Sequence, residues 1–276
     1  MGTRQFQNKW KNQTALITGA SSGIGALAAE KLAENGIRVL LVARRENRLQ
    51  DLAAKIRTLG GQAEYFAADL SSSADRNALL EWCRQMVGTP DILINNAGIG
   101  WYGYFSHMPL ELAEQLLQIN VESVVFLTKT YLPAMLERGS GHIINVSSIV
   151  GGLPNQGVAM YSASKAFVDA FTTSIYREIK NSGVHISSLR PGPVTTEFYE
   201  TALRAPKGGA IPAERFAIPA KQVVNALWSL LNHPRRVVFV PGFLILSPWL
   251  EILFGRLIDC LGPLLLRKTG TTHSSS

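Results

Sequence analysis

The run Tyr161-Ser162-Ala163-Ser164-Lys165 sets a phenol and a primary ammonium four positions apart. On a helix this spacing puts both side chains on one face, one turn apart, where they can address the same substrate or cofactor hydroxyl. Thirteen residues before Tyr161 stands Ser148, next to Ser147, at the end of an apolar run. Asn120 sits inside a long apolar helical stretch, where a poor helix former either bends the backbone or holds a polar partner such as a water. Solvated helix faces also carry Tyr and Lys at this spacing, so its meaning depends on the surrounding elements.

Those elements alternate. Thr14–Thr18 is a short apolar run, followed by Gly19-Ala20-Ser21-Ser22-Gly23-Ile24-Gly25 and a helical pattern that stops at Asn35-Gly36. Further strands are predicted over Arg38–Ala43, Ala63–Ala68, Asp91–Asn95, His142–Val146, His185–Leu189 and Val237–Val240. Helices are predicted between them over about 47–59, 74–87, 110–137 with an interruption at Pro133, 161–180 and 221–231. Strand and helix in alternation imply right-handed crossovers. The fold class is therefore α/β, a single doubly wound Rossmann-type parallel sheet flanked by helices. Ligands of such sheets bind at the carboxyl edge of the strands, where Ser147-Ser148 would be delivered.

Within the first βαβ unit the glycines have a physical task. Gly19, Gly23 and Gly25 let the backbone turn tightly and approach a pyrophosphate, and the following helix offers amides and a favourable dipole. The spacing is GxxxGxG, with Ser21, Ser22 and Ile24 completing the loop. Gly19 to Gly23 also matches the GxSxG nucleophile elbow, but only 18 residues precede it, too few for the strands that elbow requires. Gly98, Gly100 and Gly103 satisfy GxGxxG; Trp101, Tyr102 and Tyr104 crowd them and Pro109 precedes any clear helix, so no fingerprint is assigned there. The second strand ends Ala43-Arg44-Arg45. Arginine at this place suits a 2′-phosphate, where an acid would suit a free 2′-hydroxyl, so NADP(H) is favoured over NAD(H). Arginines at a helix N-terminus oppose the dipole, which also favours an anionic partner. Asp69, closing the third strand, either caps the next helix or bonds an adenine.

The chain has 276 residues, 46% hydrophobic and 17% charged, enough for an ample core and unlike a disordered composition. A net charge of +7 suits anionic small molecules, acidic membrane surfaces or nucleic acid and does not choose among them; the motifs point to a small molecule and give no reason to expect nucleic acid. Cys83 and Cys260 show neither pairing nor metal-ligand spacing, so no metal site is expected. Residues 1–11 lack an apolar run, and Phe6 spoils a myristoylation motif. The triplets Asn12-Gln13-Thr14 and Asn145-Val146-Ser147 match the glycosylation pattern but mean little without an export signal. A cytoplasmic protein is expected.

Taken together and in order, Thr18-Gly19 to Gly25, Asn95-Asn96-Ala97-Gly98, Asn120, Ser148, Tyr161-x-x-x-Lys165 and Pro191-Gly192 resemble the short-chain dehydrogenase/reductase family, over about residues 12–242. The resemblance implies an NADP(H)-dependent oxidoreductase interconverting a ketone and a secondary alcohol. It implies that Tyr161 is the general acid for reduction and the base for oxidation. Lys165 would bind the nicotinamide ribose and lower the Tyr161 pKa from its reference of about 10. Ser148, selected over Ser147 by the family's spacing, would polarise the carbonyl. Asn120 would hold a water linking Lys165 to a proton relay. Asn96, with Ala97 and Gly98, would lie along the cofactor near the adenosine ribose, and Val194 and Thr196 near the nicotinamide amide, beyond the turn at Pro191-Gly192 that Pro193 stiffens. A homodimer or homotetramer is implied. A non-catalytic nucleotide-binding sensor or scaffold of the same fold is the alternative, against which the intact Ser148, Tyr161 and Lys165 argue.

The last third bears on substrate. Residues 193–218, with Pro206, Gly208, Gly209 and Pro212, are expected to form a lid on the domain of residues 1–242. Trp101, Tyr102, Tyr104, Phe105 and Phe198 fit either an apolar pocket rim or core packing. Residues 243–268 are rich in Leu, Ile, Phe and Trp, but Glu251, Arg256 and Asp259 interrupt them, too many charges for a bilayer span. On a helical wheel those charges share one arc, opposite Leu250, Leu253, Phe254, Leu257, Leu261 and Leu264. This amphipathic tail suits three placements: peripherally on the inner face of a membrane, over the substrate pocket, or against a partner subunit. Arg267 and Lys268 favour an anionic lipid surface, and an apolar or lipid-like substrate would accord with it. Residues 269–276 are expected to be a disordered terminus.

Overall fold

The computed structural model describes residues 9–198, 202, 216–247, 249, 252–257 and 259–260. Seven parallel strands form one sheet in the order β3-β2-β1-β4-β5-β6-β9. They are β1 Thr14–Thr18, β2 Arg38–Ala43, β3 Ala63–Ala67, β4 Ile92–Asn95, β5 Gly141–Val146, β6 Val184–Pro191 and β9 Val237–Val240. The strand order reverses between β1 and β4, and a crevice opens there at the carboxyl edge.

Helices cover both faces, so the central strands carry apolar residues on both sides. In β1, Ala15 and Ile17 face one layer and Leu16 the other. The first layer is built from α1 (Gly23–Glu34), α2 (Glu46–Thr58) and α7 (Ala220–Asn232). The second uses α3 (Ser73–Met86), α5 (Ser123–Glu137) and α6 (Ala159–Glu178). Leu16, Ile17, Leu40, Leu41 and Leu93 are wholly buried, each contributing roughly 1.5–3 kcal/mol of apolar burial.

The stretch expected as one helix over 110–137 is divided, and not at Pro133. Helix α4 (Leu110–Leu117) passes through a π-helical turn, Gln118–Glu122, into α5, which runs through Pro133 to Glu137. Proline removes one backbone donor without ending α5, whereas the wider π turn carries Asn120.

A pair of two-residue strands, β7 (Val194–Thr195) and β8 (Ile218–Pro219), lies outside the main sheet, and the Ile218 amide donates to the Pro193 carbonyl at 2.8 Å. The expected lid thus begins and ends on one clasp; most of its interior lies outside the described residues. In the tail, Gly242–Leu246 is a 3-10 turn rather than the start of an α-helix, and residues 252–257 are helical. Residues 261–276 lie outside the described residues. Trp249, Ile252, Leu253, Phe254 and Leu257 are exposed, and no helix among the described residues is long and apolar enough to cross a membrane.

Candidate active site

The turn between β1 and α1 has the shape a phosphate needs. Gly19 adopts φ +66°, and a Cβ on it would lie 2.8 Å from Asn96 Nδ2. A Cβ on Gly25 would lie 2.3 Å from the Gly19 carbonyl oxygen. Helix α1 begins after an extended Ser22 that provides no side-chain cap, so its first amides face the turn without an internal acceptor. The turn is clamped from β4: Asn96 Nδ2 donates to the Thr18 carbonyl at 3.0 Å and to that of Gly19 at 3.3 Å. Thr18 Oγ1 in return accepts from the amides of Asn96 and Ala97, each at 3.0 Å.

Strand β5 and helix α6 present the candidate reactive groups. Ser148 is buried, and its Oγ accepts from the Val150 amide at 3.4 Å, which leaves the hydroxyl proton to donate elsewhere. Ser147 also lines the cavity, but its hydroxyl donates to the Lys165 carbonyl at 3.2 Å. Tyr161 and Lys165 share one face of α6, with Lys165 Nζ 5.7 Å from the centre of the Tyr161 ring. The ammonium donates to the Val146 carbonyl at 2.9 Å. Burial lowers the Lys165 pKa from 10.5 to about 8, with the charge of Asp169 opposing the shift.

Asn120 is fully buried and ties the π turn to the strand end after Gly98. Its Oδ1 accepts from the Ile99 amide at 2.9 Å, while Nδ2 donates to the Ile99 carbonyl at 2.9 Å and to Ser164 Oγ at 3.1 Å. Ser164 Oγ donates to the Tyr161 carbonyl at 2.7 Å, so Asn120 reaches α6 one residue before Lys165. A Cβ on Gly98 would lie 3.3 Å from Asn120 Oδ1 and 3.5 Å from Lys165 Nζ, so both groups border the space that this glycine leaves.

One cavity of about 500 Å³ joins these parts. Gly19, Ser21, Ser22, Gly23, Ile24, Arg44, Arg45 and Asp69 line one end. Asn96, Ala97, Gly98, Ser148, Tyr161, Lys165, Pro191, Gly192, Val194 and Thr196 line the remainder. Of the residues expected from sequence, Gly25 and Asn120 are not in the lining: the first packs beneath the turn and the second behind Lys165. Asp69 does not cap α3; Ser72 does so, accepting from the Asp75 amide at 3.2 Å, and Asp69 Oδ1 accepts instead from Ser71 Oγ at 2.7 Å. Of the aromatics, Trp101 and Phe198 line the cavity, Tyr102 is buried against Val158, and Tyr104 and Phe105 are exposed. A Cβ on Gly100 would lie 2.4 Å from the Phe198 ring, so this glycine makes room for an aromatic side chain.

Three participants have weak sequence signatures. Asp169, one turn beyond Lys165, accepts through Oδ1 from Ser188 Oγ at 2.7 Å and Arg190 Nε at 2.8 Å, tying α6 to the strand that ends at Pro191. Its spacing from Lys165 repeats that of Tyr161 and was the available signal. Ser164 stands within the Tyr-Lys motif itself. Glu197 joins Arg45 and Arg48 across 152 and 149 positions, a pairing no local pattern announces.

The sequence matches the short chain dehydrogenase family model over residues 13–206. It is 34% identical to the ketoacyl reductase HetN of a Nostoc species over 233 residues, 83% of this chain and 78% of that protein. Among solved structures it resembles a metagenomic short-chain oxidoreductase in complex with NADP, with TM-score 0.71 and 32% identity over 83% of this chain and 96% of the other. It also resembles a short-chain dehydrogenase from Sphingobium yanoikuyae in complex with NADPH, with TM-score 0.76 and 29% identity over 96% and 99%.

Proposed function

The chain belongs to the short-chain dehydrogenase family, and from that premise we propose that it is an NADP(H)-dependent oxidoreductase interconverting an apolar ketone and its secondary alcohol. The observation that carries this reading is the single cavity reaching from the glycine turn and Arg45 to Ser148, Tyr161 and Lys165. The turn has the backbone room and the uncapped amides that a pyrophosphate requires, and Arg44 and Arg45 supply charge for a 2′-phosphate. Asp69 and Asn96 to Gly98 would line the adenosine side, while Lys165, Pro191, Gly192, Val194 and Thr196 would hold the nicotinamide end. When bound, NADPH supplies the hydride that the carbonyl carbon accepts.

The chain's own groups do the rest. Ser148 donates its hydroxyl proton toward the oxygen where negative charge develops. Tyr161 delivers a proton to that oxygen, and in oxidation takes one from the alcohol. The Lys165 ammonium, still mainly protonated near neutrality with a pKa of about 8, favours the phenolate that Tyr161 becomes. Asn120 and Lys165 border the space at Gly98, a place suited to a water that returns the proton to Tyr161.

Trp101, Ile149, Val150, Val158 and Phe198 in the lining support an apolar substrate, and the ketoacyl reductase activity named for the Nostoc relative is of this class. The exposed apolar side chains from Phe243 to Leu257 support peripheral contact with an anionic membrane, and the assembly expected is a homodimer or homotetramer. Tyr161→Phe tests the chemistry. Following NADPH oxidation with acyl and bulky ketones, turnover should fall by roughly 10²- to 10⁴-fold while NADPH still binds; retained turnover would assign the proton to another group.

A further inference from the structure

We propose that Glu197 is an internal competitor for the 2′-phosphate of NADP(H): its carboxylate takes the arms of Arg45 and Arg48 that the phosphate would otherwise claim. The inference rests on the cofactor assignment above. Arg45 stands two residues beyond β2, at the N-cap of α2, and its Nη2 and Nε reach back to the glycine turn, donating to Ser22 Oγ at 2.7 Å and to Ser21 Oγ at 3.0 and 3.1 Å. Its remaining nitrogen, Nη1, donates to Glu197 Oε2 at 2.7 Å. The other carboxylate oxygen, Oε1, pairs with Arg48. One carboxylate is therefore spread between two guanidinium groups beside the turn, an arrangement that a phosphate monoester reproduces with more charge and more acceptor oxygens.

The pair is suited to displacement. The side chains of Arg45 and Glu197 are 42% and 37% exposed, which places their attraction in the weak class of surface ion pairs. The arginines also hold the Glu197 carboxyl below its ordinary pKa, so it remains ionised near neutral pH. NADPH brings a doubly charged group to the contest, whereas NADH brings a neutral 2′-hydroxyl that leaves the carboxylate in place. Position adds a consequence. Glu197 follows Thr196, whose Cγ2 lies where a Cβ on Gly23 would come within 2.9 Å, and precedes Phe198, whose ring is centred 5.3 Å from that of Tyr161. Releasing Glu197 therefore removes the tie of residues 196–198 to Arg45 and Arg48 at the cofactor end of the cleft.

The test is titration calorimetry of NADPH and NADH against the full chain, its Glu197→Gln and Arg45→Ala variants, and the double variant. Removing the competitor should tighten NADPH by about 2- to 5-fold and leave NADH unchanged. In the Arg45→Ala background the same change should have a smaller effect, because half of the contest is gone. Unchanged or weaker NADPH binding by Glu197→Gln, or equal tightening of both nucleotides, would overturn the proposal. Arg45→Ala separates the two readings: selective loss of NADPH affinity upholds the phosphate assignment whatever Glu197 does, and equal loss of both nucleotides removes it. A thermal melt of Glu197→Gln guards against misfolding, and 2′,5′-ADP compared with 5′-ADP repeats the comparison in a variant too weak for the whole cofactor.

Discussion

Replacing Lys165 with methionine should stabilise the protein while removing its activity. Lys165 is 5% exposed, and burial holds its pKa at about 8 against 10.5 in the open chain. At about 1.4 kcal/mol per unit, keeping the ammonium charged near neutral pH costs the fold about 3 kcal/mol. Methionine of similar length avoids that cost and forfeits the hydrogen bond to the Val146 carbonyl, about 1 kcal/mol, for a net gain of about 2 kcal/mol. For a chain of this size that is about 4–8 °C in Tm. The pH dependence identifies the cause. Because the folded pKa lies below the unfolded one, the folded protein binds fewer protons between about pH 8 and 10.5, and the wild type gains stability as pH rises through that window. The advantage of the variant is therefore full below about pH 8 and gone by about 10.5. Urea unfolding of both proteins without nucleotide, from neutral to alkaline pH, measures it. A variant less stable than wild type at neutral pH, or a difference that ignores pH, would refute the reasoning.

The other expectations concern the turn and the tail. Gly25→Ala places a methyl 2.3 Å from a backbone oxygen that has no rotamer to escape into, so stability should fall by about 1–3 kcal/mol and NADPH affinity by about tenfold or more; an unaltered dissociation constant would show that the turn tolerates the shift. Leu253→Glu with Leu257→Glu changes two side chains that are 68% and 56% exposed, so melting should move little while sedimentation with phosphatidylglycerol vesicles declines. Undiminished sedimentation would take the membrane role from this segment.

The parts readable from sequence were those fixed by local chemistry. Glycines between a strand and a helix, alternating apolar runs, and Tyr161 spaced from Lys165 all act within a few residues, and the structure brings these elements to one cleft. Asn120 was visible as an anomaly, but its effect was not: the π turn depends on partners at Ile99 and Ser164, far away in the chain. The helix continues through Pro133 because one missing donor does not outweigh the packing of Leu127, Tyr131 and Met135 on the sheet. The Arg45 contact with Glu197 and the Asp169 contact with Arg190 join charges that no periodicity links, so only the assembled fold discloses them.

The clasp of β7 and β8 holds the two ends of the expected lid together. Val194 and Ile218 are paired, so the intervening stretch begins and ends at one point beside the cavity. Closing such a loop costs only about 0.6 kcal/mol more for each doubling of its length. Insertions or deletions between Phe198 and Phe216, which leave Thr196 and Glu197 at the cofactor end of the cleft, can therefore be tried as exchanges of a cassette, and a change in which ketone is accepted while Ser148, Tyr161 and Lys165 keep their places would show that the segment serves the substrate.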